Sequence, residues 1–310
     1  MNHSPRQWTT AAMAGIALLV GSHSTRAGES VFAWTYTTDL QPKGTWEFEQ
    51  WVTPRFNKEA GSYSVFDFRE EVEYGVSDNF QLSLYLNHHY VYANKDFPAE
   101  DPANPGHRLP GAYVTGGEDV HAGHNPDTPF NSYHFESVSA EAIYRIWSPY
   151  EDPLGLAVYF EPAIGDQETE LEAKLLFQKN WLDDRLIWAL NLNYELEFEK
   201  NDAGSFDRDG MAEWFSGLTW RFAANWFAGL EFWNHYEFAD ATEPEHAAFF
   251  VGPTLHYGAK RWWATVGFLR QLPIGVAISQ DNQQFAYYHG YIYGDEHEEW
   301  YVRLKIGFNF

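Results

Sequence analysis

From residue 43 onward the chain alternates apolar and polar side chains with a period of two, in segments of about ten residues separated by alternately short and long breaks. A period of two is that of a β-strand, which sends successive side chains to opposite faces. At the end of the chain Val302, Leu304, Ile306, Phe308 and Phe310 share one face, and Tyr301, Arg303, Lys305 and Asn309 share the other. Between 186 and 198 the apolar set is Leu186, Trp188, Leu190, Leu192, Tyr194, Leu196 and Phe198, opposite Asn191, Asn193, Glu195 and Glu197. One face suits lipid and the other water. A soluble β-sandwich also alternates, but its strands are shorter and its outward face is polar. Here the apolar face is nearly free of charge, and closure removes the edges that so many long strands would expose.

The pattern predicts twelve strands, over 45–56, 62–74, 80–92, 133–147, 155–164, 169–179, 185–199, 211–222, 226–239, 247–258, 262–272 and 298–310. The fold class is therefore all-β, a transmembrane antiparallel up-and-down barrel. An even count returns both termini to the periplasm, so the odd-numbered connections are external. The long breaks 93–132, 200–210 and 273–297 all fall on that side, and the tight ones 75–79, 180–184, 223–225 and 259–261 on the other. Two places fit less well. Glu70 shares the lipid face with Phe66, Phe68, Val72 and Tyr74, which predicts a bulge or register slip nearby. Pro253 lies inside a strand although it has no N–H for the ladder.

Ahead of the barrel, a basic start, an apolar run from Ala11 to Val20 and Thr25-Arg26-Ala27 have the layout of a secretory signal peptide, residues 1–27, too short in its apolar part to span a membrane. The barrel domain is 28–310. Its first part, 28–43, is a periplasmic segment with Val31, Phe32 and Trp34, placed to tuck into the barrel opening. There is no cysteine, so neither a disulfide framework nor thiol chemistry is available. The net charge of −24 argues against nucleic acid as a partner. Aromatic residues make up 18%, too many for a disordered acidic chain.

Three stretches resemble bacterial outer-membrane barrels, particularly channels grouped with the meta-pathway phenol-degradation outer-membrane proteins. The terminal Phe310, with Phe308, Ile306 and Leu304 at every second position before it, is similar to the signal read by the barrel-assembly machinery. Tyr74-Gly75-Val76-Ser77-Asp78-Asn79-Phe80 looks like a periplasmic hairpin, and Leu40 to Glu49 like an entry strand. The resemblance implies an outer-membrane location and partners in outer-membrane lipid and lipopolysaccharide. It assigns no functional residue.

Strand direction puts Glu161, Glu170, Glu172, Glu195, Glu197, Glu199 and Glu237 on the inward face near the outer mouth, where a ring of carboxylates favours cations. A twelve-stranded wall is roughly 24 Å across between backbones, narrowed by side chains to about 10 Å or less, so small solutes pass and folded proteins do not. The expectation is a passive, porin-like channel for cations or small polar solutes, with no cofactor. The alternative is a filled barrel in which the acids pair with Arg145, Lys174, Arg221, Arg303 and Lys305 without conduction. In the loop 93–132, His121 and His124 beside Glu118 and Asp119 offer metal ligands, although the loop gives them no fixed scaffold. An outer-membrane lipid hydrolase is the rival from another class, and it needs Ser and His to meet on the outward wall. Its loose candidates are His134 with Ser132 or Ser137, and Asn234 with His235.

Overall fold

A computed structural model describes residues 28, 30–104, 107–117, 120, 123–165, 168–200, 206–280, 283, 290–294 and 296–310. Twelve strands close into an antiparallel barrel: β1 (Trp46–Phe56), β2 (Ser62–Ser77), β3 (Phe80–Asn94), β6 (Phe130–Trp147), β7 (Gly155–Gly165), β8 (Glu168–Trp181), β9 (Leu186–Lys200), β10 (Phe206–Ala223), β11 (Trp226–Ala239), β12 (Glu243–Gly258), β13 (Trp262–Gln271) and β15 (Trp300–Asn309). Each matches a tract expected from the alternation. Three short strands lie in the long connections: β4 (Phe97–Glu100) and β5 (Arg108–Val114) form a hairpin in the longest loop, and β14 (Val276–Ala277) pairs with β12. Closure is made by β15 against β1, where Phe310 N donates to Trp46 O at 3.1 Å and Trp46 N to Phe310 O at 3.4 Å. The terminal apolar residues point outward, with Phe310 74% exposed to what the membrane would cover.

Outward aromatic pairs such as Trp46–Tyr74, Phe80–Tyr144 and Trp226–Tyr257 sit at the strand ends joined by the short turns, where a barrel of this kind carries an interfacial girdle. The ladder between β12 and β13 skips Gly252 and Pro253, which absorbs the missing proline N–H, while β11 pairs with β12 through Leu230↔Pro253. The proline therefore does not end the strand.

The irregularity expected beside Glu70 is absent: β2 pairs in unbroken register with β1 and β3 through that residue. Glu70 does face outward, and it is kept there by partners. Gln50 Nε2 donates to its Oε1 at 2.8 Å, and His88 Nε2 lies 2.9 Å from its Oε2. The Tyr133 hydroxyl is 2.8 Å from His88 Nδ1, which makes a four-residue polar chain across the wall. A hydrogen-bonded carboxylate can sit where an isolated one could not. The bulge lies instead on β6, where Asn87 pairs with Ser137 and His88 with Phe135, and the extra residue, Glu136, turns into the lumen.

The segment 30–43 runs inside the barrel. Val31, Phe32, Ala33, Trp34, Thr35, Thr38, Leu40 and Gln41 are all buried. Its irregular backbone needs partners, and inward wall side chains supply them. Glu231 accepts from the backbone N–H of Ala33, Trp34 and Thr35 at 2.7–2.9 Å and from the Thr35 hydroxyl at 3.0 Å. Asn191 accepts from Tyr36 N at 2.7 Å and donates to Tyr36 O at 2.9 Å, Gln178 accepts from Thr38 N, and Gln81 accepts from Gln41 N. The wall makes room with glycine: a Cβ on Gly217 would sit 2.5 Å from the Phe32 ring, and one on Gly267 2.4 Å from Ala33 and Trp34. Gly267→Val should therefore displace the segment at a cost of about 1–3 kcal/mol. Urea unfolding of the refolded barrel measures this, and the same change should be close to neutral in a chain that lacks 28–43.

Candidate functional site: an acidic lumen above an internal segment

Two cavities stack inside the barrel on top of the segment. The outer one, 480 Å³, is lined by Glu197, Glu199, Asp209, Glu237, Arg55 and Lys58 among others. The middle one, 320 Å³, is lined by Glu136, Glu161, Glu170, Glu172, Glu195 and Glu213, with Trp34 and Tyr36 of the internal segment in its wall. Arg55, Glu213, Trp233 and Tyr301 line both, so the two adjoin. All seven acids read from the sequence thus face one of these spaces. Strand register explains why: Glu161↔Glu172, Glu172↔Glu195, Glu170↔Glu197 and Glu168↔Glu199 are direct cross-strand partners. Carboxylate oxygens of Glu172, Glu195 and Glu213 come within 4.8 Å of one another, as do those of Glu136, Glu168 and Glu170. Carboxylates that close repel one another when ionised, and a proton or a cation between them relieves the repulsion, so the site favours cations.

The five expected bases divide. Lys174 lies 2.9 Å from Glu172 and over the rings of Tyr36 and Tyr159. Lys305 is 3.6 Å from Glu49, over Trp51, and donates to the Ser30 hydroxyl at 3.2 Å. Arg303 donates to Thr53 Oγ1 at 3.0 Å and lies over Trp34 and Trp51. These three sit in the lumen, and the last two hold the internal segment. Arg145 and Arg221 are at the rim formed by the short turns, where they donate to the carbonyls of Asp78 and Asp183. Neither meets the acidic mouth, because each comes at the last inward position before a turn.

Arg69, Glu136, Glu168 and Glu213 belong to the site and were not read from the sequence. Arg69 pairs with Glu161, which also accepts from the Tyr159 hydroxyl, and its guanidinium lies 3.8 Å from the Tyr85 ring centroid. Alternation alone would have placed Arg69, Glu168 and Glu213 inward; Glu136 needed the bulge. A second group, Glu47, Glu49, Glu71, Glu73 and Glu141, is buried inside the wall of β1, β2 and β6. At the outer rim, burial alone would raise the Glu298 carboxyl, but Arg55 at 3.1 Å and Lys58 at 3.8 Å hold it down to about 2, helped by the Tyr301 hydroxyl.

In the long loop, His121, Glu118 and Asp119 lie outside the described residues, and His124 Nε2 is 2.9 Å from the carbonyl of Thr128 in its own turn. The loose hydrolase candidates do not meet the requirement of an outward site. His134 pairs with His89, and Ser132 and Ser137 pair with Val91 and Asn87, in the ladder where Val91 is buried inward. His235 points into the outer cavity, while Asn234 donates to the Ala248 carbonyl. On the lipid side, His88 meets Glu70 and Tyr133 instead of a serine.

A model of a family of unknown function, DUF6662, matches residues 24–310. The chain belongs to DUF6662. No curated protein matches it. Among solved structures, this DUF6662 member is similar in fold to the COG4313 outer membrane channel from Pseudomonas putida F1, at 9% identity and a TM-score of 0.52, covering 88% of this chain and 98% of the other. It is similar also to the translocator domain of autotransporter NalP from Neisseria meningitidis, at 12% identity and a TM-score of 0.50, covering 88% and 91%. The NanC porin aligns at 10% identity and a TM-score of 0.49, over 84% and 98%. At such identities the likeness concerns the fold: this DUF6662 member is a closed twelve-stranded barrel of the outer-membrane kind. It leaves the narrower resemblance to phenol-degradation proteins untouched.

Proposed function

We propose that the protein is a narrow, porin-like outer-membrane channel that passes cations or small polar solutes by diffusion, with residues 30–43 as its constriction. The observation that carries this reading is the pair of adjoining acid-lined cavities, 480 and 320 Å³, on top of a segment seated inside the wall. A filled barrel needs its buried charges neutralised. Here Glu195 faces Glu172, and Glu170 faces Glu197, across the β8–β9 ladder, with Lys174 2.9 Å from Glu172. Cations from solution are the natural complement. The path is narrowed by Trp34, Tyr36 and Trp233, so selection is by size as well as charge. Outer-membrane lipid and lipopolysaccharide cover the outward face in this reading, and the strand ending at Phe310 engages the barrel-assembly machinery.

Proteoliposomes carrying the mature protein should take up monovalent cations faster than anions of similar size. Changing Glu195, Glu197 and Glu199 together to Gln should lower that preference by roughly threefold or more, since ring charge sets selectivity. Equal cation and anion uptake by the unaltered protein would remove the acidic mouth as its cause.

A further inference from the structure

Four side chains from three elements converge at the edge of the outer cavity: His235 and Glu237 on β11 and His297 on the connection that leads into β15, which line it, and His246 on β12 behind them. Their metal-binding atoms all lie within 4.8 Å of one another. His246 Nε2 and His297 Nε2 are 2.8 Å apart, Glu237 Oε2 is 3.3 Å from His235 Nε2, and it is 3.5 Å from His246 Nε2. Four donors around one ion at bond lengths of about 2.0–2.1 Å lie about 3.3 Å from each other, so these spacings are close to those of a tetrahedral site. A hydrogen bond between two imidazoles requires one ring to present N–H and the other a lone pair. It does not require a third imidazole and a carboxylate at the same point. An ion accepts lone pairs from all four.

The surroundings are those of a ligand set already oriented. His235 Nδ1 is 3.0 Å from Glu213 Oε1, which leaves Nε2 to face the cluster. Glu213 is itself fixed, accepting from Trp233 Nε1 at 2.8 Å and from Asn193 Nδ2 at 2.7 Å. A carboxylate behind a histidine, itself held by further donors, is the outer shell that sets tautomer and ring orientation at metal centres. β-pairing places Glu237 directly opposite His246, and the register shift just beyond that pair spares both. Glu197, Glu199 and Asp209 line the same cavity and would raise the local concentration of any cation.

The geometry points to a divalent transition-metal site, three imidazoles and one carboxylate, in the outer part of the lumen. Imidazole-rich donor sets suit zinc, copper or nickel rather than magnesium or calcium. The bound ion would tie the connection bearing His297 to the wall strands β11 and β12. The inference does not depend on conduction, since a filled barrel would bind equally.

The test uses tag-free mature protein, refolded in detergent, stripped with a chelator and titrated with Zn2+ against a chromophoric competitor. Co2+ absorption serves as a second reading of coordination number. One equivalent of Zn2+ should bind, with tetrahedral Co2+ bands. His246→Ala/His297→Ala should weaken binding by more than the about 10–100-fold that an outer-shell loss costs, and Glu213→Gln should weaken it within that range. His124→Ala should bind as the unaltered protein does. Folding of each variant is checked by the shift in gel migration on heating. Folded unaltered protein that binds no Zn2+, or binding that is the same in the double variant, overturns the site. So does a loss as large in His124→Ala as in the double variant.

Discussion

Removing residues 28–43 should raise single-channel conductance roughly threefold or more, because a twelve-stranded wall about 24 Å across then loses the chain that fills its interior on the short-turn side. The segment is held both by packing of Val31, Phe32, Trp34 and Leu40 and by specific bonds, among which Glu231 is the main anchor: three backbone amides and one hydroxyl donate to its carboxylate. Hydrogen bonds to a charged group contribute about 1.5–3 kcal/mol each, so Glu231→Ala should free the segment while leaving β11 in its ladders. That variant is the second route to the same result if the shortened chain refolds poorly. Both should conduct more than the intact protein, and protease should then cut near Trp34. Conductance unchanged in both would mean that the constriction lies elsewhere, among Arg69, Lys174 and the aromatic rings around them.

Arg69→Met should cost about 3 kcal/mol as read from the urea midpoint, since it leaves Glu161 buried without its cationic partner. Few bases offset the acids of the lumen, and Arg69 also lies over the rings of Tyr85 and Trp51. The methionine keeps much of that packing, so the loss reports the charge. Arg69→Met with Glu161→Gln should recover a good part of it. A single variant within roughly 0.5 kcal/mol of the unaltered protein would show that water or other donors already satisfy Glu161.

Much of this was legible in the sequence because a membrane barrel writes its fold as a period of two. Each of the twelve tracts became a strand, and Pro253 stayed in its strand because the β12–β13 ladder opens there. Glu70 misled because an outward carboxylate suggested a slip. Its partners Gln50 and His88 come from neighbouring strands, which a single tract cannot show. The seven acids fell inward as alternation requires, while Arg145 and Arg221, on the same rule, fell at rims that only the turns define. Glu136 was hidden by its bulge. The histidine cluster was hidden for another reason: Glu237 and His246 meet only once hairpin register is known, and His297 arrives from a connection with no period to read.

The depth of the internal segment was equally out of reach. Val31, Phe32 and Trp34 marked it as something to be buried, but its position depends on Glu231, Asn191, Gln178 and Gln81, four polar residues on four strands. Each looks in the sequence like any other lumen residue.

The most direct test of the channel reading is the reversal potential of refolded residues 28–310 in a planar bilayer under a potassium chloride gradient. A narrow acidic path predicts small, discrete steps and a potential displaced toward that of potassium. A folded protein that is silent, both intact and without residues 28–43, would contradict the channel, and a potential displaced toward chloride would contradict the acidic lumen as its selector.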